Sequence, residues 1–173
     1  MLRFNSDRKF KIMQIADTQE IPAVSPDTLS LINNALDREK PDLVIFTGDQ
    51  IKGYSKKFKK DPAIIEGTID TLVEPIAKRN IPFMVTYGNH DAQCGVDNRG
   101  QYKFYAKYDN FISGDLRNAD DVGTADIQIY SSTEDKPVFE LYIIDSHGKA
   151  KDGAGYALSL IHISEPTRHA QIS

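Results

Sequence analysis

A single cysteine, Cys94, stands in 173 residues. One thiol cannot form an internal disulfide, and this one has neither a companion at zinc-ligand spacing nor a neighbouring base, so it reads as a free thiol near a loop. Long apolar runs are missing too. The charged start, Met1 to Lys9, leads into no stretch of the length a secretory signal or membrane span requires, so a cytoplasmic protein with no membrane partner is the expectation. Positive charge is not in excess. With 21 Lys+Arg against 25 Asp+Glu, the net charge of -4 gives no electrostatic basis for a dedicated nucleic-acid partner. Repeats and low-complexity linkers are absent, which leaves one domain, and a 40% hydrophobic content supplies a sizeable core for it.

Apolar stretches end abruptly at polar clusters three times. Phe10 to Ala16 reads as a buried strand running into Asp17-Thr18-Gln19. Ser25-Pro26 offers an N-cap and a proline at the first helical position, Leu29, Ile32 and Leu36 follow at helical spacing, and Lys40-Pro41 closes the helix. Asp42 to Thr47 reads as a second buried strand ending at Gly48-Asp49. Asp61-Pro62 opens a second helix with Ile65, Ile69, Leu72, Val73 and Ile76 inward, and Pro75 is a candidate kink. Ile81 to Tyr87 is a third strand, ending at Gly88-Asn89-His90-Asp91. The β-α-β-α-β order implies right-handed crossovers and a largely parallel sheet covered by helices. Arg99 to Tyr108 reads as helix, and Ile127–Tyr130 with Val138–Ile144 as a hairpin.

In an open parallel sheet the carboxyl ends of the strands share one edge, so the three polar clusters converge. Any one of them has an ordinary explanation as a helix cap or a turn; three at successive strand ends point to a site. Carboxylate and amide oxygens from Asp17, Gln19, Asp49 and Asn89, with the His90 imidazole beside them, suit hard or borderline divalent cations, and two ions suit the set better than one. Two ions roughly 3.5–4 Å apart would lower the pKa of a shared water toward about 7 and clamp a phosphoryl oxygen.

At these residues the chain resembles the calcineurin-like metallophosphoesterases, in the branch related to purple acid phosphatases. Their pattern is Asp-x-His, Gly-Asp and Gly-Asn-His-Asp/Glu after the first three strands, and it stands here as Asp17-Thr18-Gln19, Gly48-Asp49 and Gly88-Asn89-His90-Asp91. The resemblance implies an α/β sandwich of two mixed β-sheets flanked by helices. It also implies hydrolysis of a phosphate mono- or diester through a water activated by two divalent ions (manganese, iron, zinc or magnesium). Asp17 and Gln19 would bind the first ion, Asp49 would bridge, and Asn89 would bind the second. His90 would protonate or stabilise the leaving oxygen, and Asp91 would orient the loop or the imidazole from behind.

Two departures qualify that picture. Gln19 replaces the family's histidine, trading an imidazole for a neutral amide oxygen. The family's later histidine motifs are missing before residue 157, so residues 1–157 are expected to form the N-terminal part of one domain, an inactive fragment on its own that exposes a sheet edge and aggregates. Residues 158–173, including Leu158 to Arg168, resemble the conceptual translation of an adapter used in sequencing libraries and are expected to be a non-native tail, which makes His162 and His169 uninformative. His147 is read as a solvent-facing loop histidine, and Lys56-Lys57-Phe58-Lys59-Lys60 as a solvated run. A nucleotide-binding module is disfavoured because no G-x-G-x-x-G follows the first strand and no Lys-Ser/Thr follows the glycines near Asp49. The remaining alternative is a non-catalytic scaffold that binds metal or phosphate. The substrate's identity and the oligomeric state are not encoded in these motifs.

Overall fold

A computed structural model describes residues 1–113 and 122–147. Six strands and three α-helices follow in the order β1 (Leu2–Arg3), β2 (Ile12–Ile15), α1 (Pro26–Glu39), β3 (Leu43–Thr47), α2 (Pro62–Ala77), β4 (Phe83–Thr86), α3 (Asn98–Ala106), β5 (Ala125–Tyr130) and β6 (Pro137–Ile143). Both long helices begin where their capping residues stand. Asp61 accepts the Ala63 N–H at 2.9 Å with Pro62 next in line, and Ser25 accepts from Asp27 at 3.3 Å ahead of the α1 body. Lys40 ends α1 in the left-handed conformation, its N–H bonded to the Leu36 carbonyl. Pro75 lies within α2, whose inward face carries Ile65, Ile69, Leu72, Val73 and Ile76.

The strands form two three-stranded sheets. One, β2-β3-β4, is parallel throughout, with Ile15 opposite Phe46 and Thr47 opposite Thr86. The other, β1-β5-β6, is mixed: β1 runs parallel to β5, and β5 and β6 are an antiparallel hairpin. Strand alternation sorts the core into two layers. Val44, Phe46, Phe83 and Val85 pack with the helices, whereas Leu43, Ile45 and Met84 pack with Leu2, Ile127, Ile129 and Ile143 of the mixed sheet. The architecture is therefore helices on a parallel sheet on a mixed sheet, an α/β sandwich covered by helices on one side among the described residues.

Two expectations change. The first strand is not buried: residues Ile12–Ile15 alternate between exposed and half-exposed, because β2 is the outermost strand of its sheet and nothing among the described residues pairs with its free edge. The described part of the β2-β3-β4 sheet carries no antiparallel strand, consistent with an incomplete sandwich. Strand β1 was not foreseen, since two residues are too few to show a period. The proposed domain end at residue 157 and the 158–173 tail lie outside the described residues. No helix among the described residues is long and apolar enough to cross a membrane.

Candidate functional site

Parallel pairing brings the carboxyl ends of β2, β3 and β4 to one edge, and the loops that leave them are joined through their backbones. Asp17 N–H donates to the Gly48 carbonyl at 3.0 Å, Gln19 N–H to the Asp49 carbonyl at 2.9 Å, and Glu20 N–H to the Gln50 carbonyl at 3.1 Å. The third loop joins through a side chain: His90 N–H donates to Asp49 Oδ1 at 2.9 Å. The approach is close enough to require glycine. A Cβ on Gly88 would lie 2.1 Å from Asp49 Oδ1, and one on Gly53 would lie 2.0 Å from the His90 carbonyl oxygen. Asp17, Gln19 and Asp49 hold positive φ angles of 53°, 43° and 53°. Three non-glycine residues in the left-handed region within one small cluster are a concentration of backbone strain of the kind found at functional sites.

Asp91 explains how the second and third loops stay together. Its carboxylate is fully buried and accepts three backbone N–H groups, from Asp49 and Gly88 on Oδ2, both at 2.7 Å, and from Ile51 on Oδ1 at 3.2 Å. Burial outweighs these three donors and pushes its pKa up to about 6. Its bonds go to the loop backbone and none to the imidazole. The His90 ring is placed instead by Gln93, whose Oε1 lies 3.1 Å from Nδ1 and whose Nε2 donates to the Asn89 carbonyl. Tyr54 meets the same ring edge-on, with centroids 4.8 Å apart.

Asp17, Gln19, Asp49 and Asn89 thus belong to one cluster, and His90 and Asp91 to the same loop system. Gln19 is engaged at both ends of its amide: Nε2 donates to Asp17 Oδ1 at 3.2 Å and Oε1 accepts from Tyr54 at 3.4 Å. His147 lies elsewhere, lining a cleft of about 320 Å³ with Ala92, Asn98, Arg99 and Asp145. Its N–H donates to the buried Asp145 carboxylate at 2.8 Å. Cys94 is free and buried. The lysine run is more than a solvated loop, because Lys56–Phe58 is a capped 3-10 turn with Phe58 buried in the core. Tyr54 and Gln93 escaped sequence reasoning. Tyr54 stands five residues past Asp49, just beyond a glycine, and only the packing of Gly53 on His90 shows why that matters.

The chemistry of the donors fits a divalent cation in part. Two carboxylates and two amides make an all-oxygen set of the magnesium or manganese kind, with no imidazole in the place of Gln19. Among the described residues no group of three or more His, Cys, Asp or Glu side chains is arranged to hold a metal ion. Four side-chain oxygens serve one ion with room for water; a pair of ions needs more.

A profile of calcineurin-like phosphoesterases matches residues 10–168 of the chain. The protein named "Probable inactive purple acid phosphatase 14" of Arabidopsis thaliana is 27% identical over 95% of this chain and 46% of its own length. "Phosphatase DCR2" of Saccharomyces cerevisiae is 31% identical over 90% of this chain and 30% of its own length. "Probable inactive purple acid phosphatase 29" of Arabidopsis thaliana is 26% identical over 84% and 42%. The chain spans less than half the length of these curated relatives.

Proposed function

Because the chain belongs to the calcineurin-like phosphoesterase family, whose chemistry is metal-dependent hydrolysis of phosphoric esters, we propose that it contributes Asp17, Gln19, Asp49 and Asn89 to a two-cation site that hydrolyses a phosphate mono- or diester. The observation that carries this reading is the place of Asp49. Its backbone carbonyl receives the Gln19 N–H and its carboxylate the His90 N–H, so one residue stands between the loop of Asp17 and the loop of Asn89.

Asp17 and Gln19 would hold one cation, Asn89 the other, and Asp49 both; further ligands would complete the pair. When bound, two divalent cations supply an acidified water and positive charge for the phosphoryl oxygens. The chain's own contributions are positional and acidic. Asp91 holds the backbones of Asp49 and Gly88 in register, and Gln93 orients the His90 ring so that it can give a proton to the departing oxygen. Of manganese, iron, zinc and magnesium, the all-oxygen donors suit manganese and magnesium best, and an imidazole among the further ligands would bring in iron and zinc. The substrate class is a phosphate ester.

A non-catalytic scaffold is the second reading, and Gln19 favours it. Its amide is tied to Asp17 and Tyr54, and two of the relatives carry "inactive" in their names. Hydrolysis of p-nitrophenyl phosphate and its bis ester with added manganese separates the two. Turnover that Asp49→Ala lowers at least about a hundredfold supports the enzyme. Manganese retained without turnover supports the scaffold, and neither binding nor turnover overturns both.

A further inference from the structure

Tyr54 touches two of the site's three loops, yet no part of the three-cluster motif includes it. Its hydroxyl donates to Gln19 Oε1 at 3.4 Å on the first loop, and its ring stands against the His90 ring of the third at a centroid separation of 4.8 Å and an interplanar angle of 63°. The residue is held to do this. Gly53 before it presses on the His90 carbonyl with no room for a Cβ, and Ser55 after it caps the turn anchored by buried Phe58. Lys52 Nζ lies 5.2 Å from the Tyr54 ring centroid. An aromatic edge contact of this kind favours one imidazole orientation among the few that χ2 allows. Half of Tyr54 is exposed, so it forms the rim of the site and not its core.

We propose that Tyr54 is the positioning residue that holds the His90 imidazole toward the leaving group and couples it to Gln19 on the opposite loop. The proposal rests on the reading of His90 as the acid that protonates the departing oxygen. Gln93 fixes one ring nitrogen through Nδ1, which leaves Nε2 for the reaction, and the Tyr54 ring then limits rotation of the imidazole about that bond. No bond is made or broken by Tyr54 itself. Its effect therefore depends on how much the leaving group needs a proton: a nitrophenolate departs without one, and an alkoxide does not.

The test uses the full chain, Tyr54→Leu and Tyr54→Phe, with manganese, on p-nitrophenyl phosphate and on a simple alkyl phosphate. Tyr54→Leu is expected to lower kcat about tenfold or more for the alkyl ester with KM little changed, and to leave the nitrophenyl ester within about twofold; Tyr54→Phe, which keeps the ring, is expected to restore most of the alkyl activity. Equal losses on both esters, or no loss on either, overturn the proposal. A second readout needs no turnover. In the metal-free chain, the His90 ring protons, assigned by His90→Gln, should show nuclear Overhauser contacts to the Tyr54 ring and should shift in Tyr54→Leu but not in Tyr54→Phe. Unmoved His90 resonances in Tyr54→Leu overturn the proposal even if the chain hydrolyses nothing. Contacts and shifts as expected in a chain without turnover support the positioning and count against the phosphoesterase reading alone.

Discussion

A buried carboxylate that accepts three amide hydrogens and still has a raised pKa is an uncommon balance, and Asp91 has it. Its folded-state pKa of about 6 lies above the ordinary value of 3.8. The folded, metal-free chain therefore keeps a proton that the unfolded chain has lost between those two values, so the contribution is full below about pH 3.8 and is lost as pH rises through 6. Asp91→Asn removes that dependence. It also turns an NH2 toward at least one of the Asp49, Gly88 and Ile51 N–H groups, which costs about 1–3 kcal/mol. Urea unfolding of both proteins from pH 4 to 7 should show the variant less stable at pH 4, with the gap narrowing toward pH 7; a constant gap would mean that Asp91 does not titrate in that window. The residues of this cluster were legible in the sequence because Gly-Asn-His-Asp is a dense motif. What Asp91 bonds was not, since a carboxylate's partners depend on how three loops pack and no local pattern records that.

At the scale of elements, the capping residues did most of the informing. Asp61-Pro62 and Ser25-Pro26 mark helix starts to the residue, because a cap and a proline act through local backbone geometry that sequence alone specifies. Asp61→Ala should cost α2 about 1 kcal/mol, read as a lowered urea midpoint with unchanged slope, and more than Ser25→Ala, whose cap bond is longer at 3.3 Å against 2.9 Å. The strands were less legible. Ile12–Ile15 has the apolar content of a buried strand, but burial is decided by how many neighbours a strand has, and among the described residues β2 has one. Strand β1 owes its existence to Ile129 and Tyr130, more than 120 residues away, so nothing near Leu2 could announce it.

At the scale of the molecule, the exposed apolar surface among the described residues is concentrated on the second sheet. Val138 and Phe139 of β6 are 55% and 51% exposed, and β6 is the last strand of its sheet among the described residues. An unpaired apolar edge is a template for another chain. Val138→Lys should reduce self-association, measured by sedimentation velocity across a tenfold range of concentration, without lowering the melting temperature by more than a degree or two. An unchanged sedimentation profile would show that this edge is not where chains meet.

The pairing of β1 with β5 also sets an order of events during synthesis. Ile129, the partner of Leu2, is made 127 positions after it. At the usual pace of about 5–20 residues per second, that delay is roughly 6–25 s, an immense interval beside the microseconds in which helices and hairpins form. The parallel sheet can close once residue 86 has emerged, with Val44, Phe46, Phe83 and Val85 already under the helices. Its other face, Leu43, Ile45 and Met84, must wait for Ile127, Ile129 and Ile143. For those seconds the nascent chain exposes a greasy half-core and an unpaired β1 to whatever chaperone meets it at the exit tunnel.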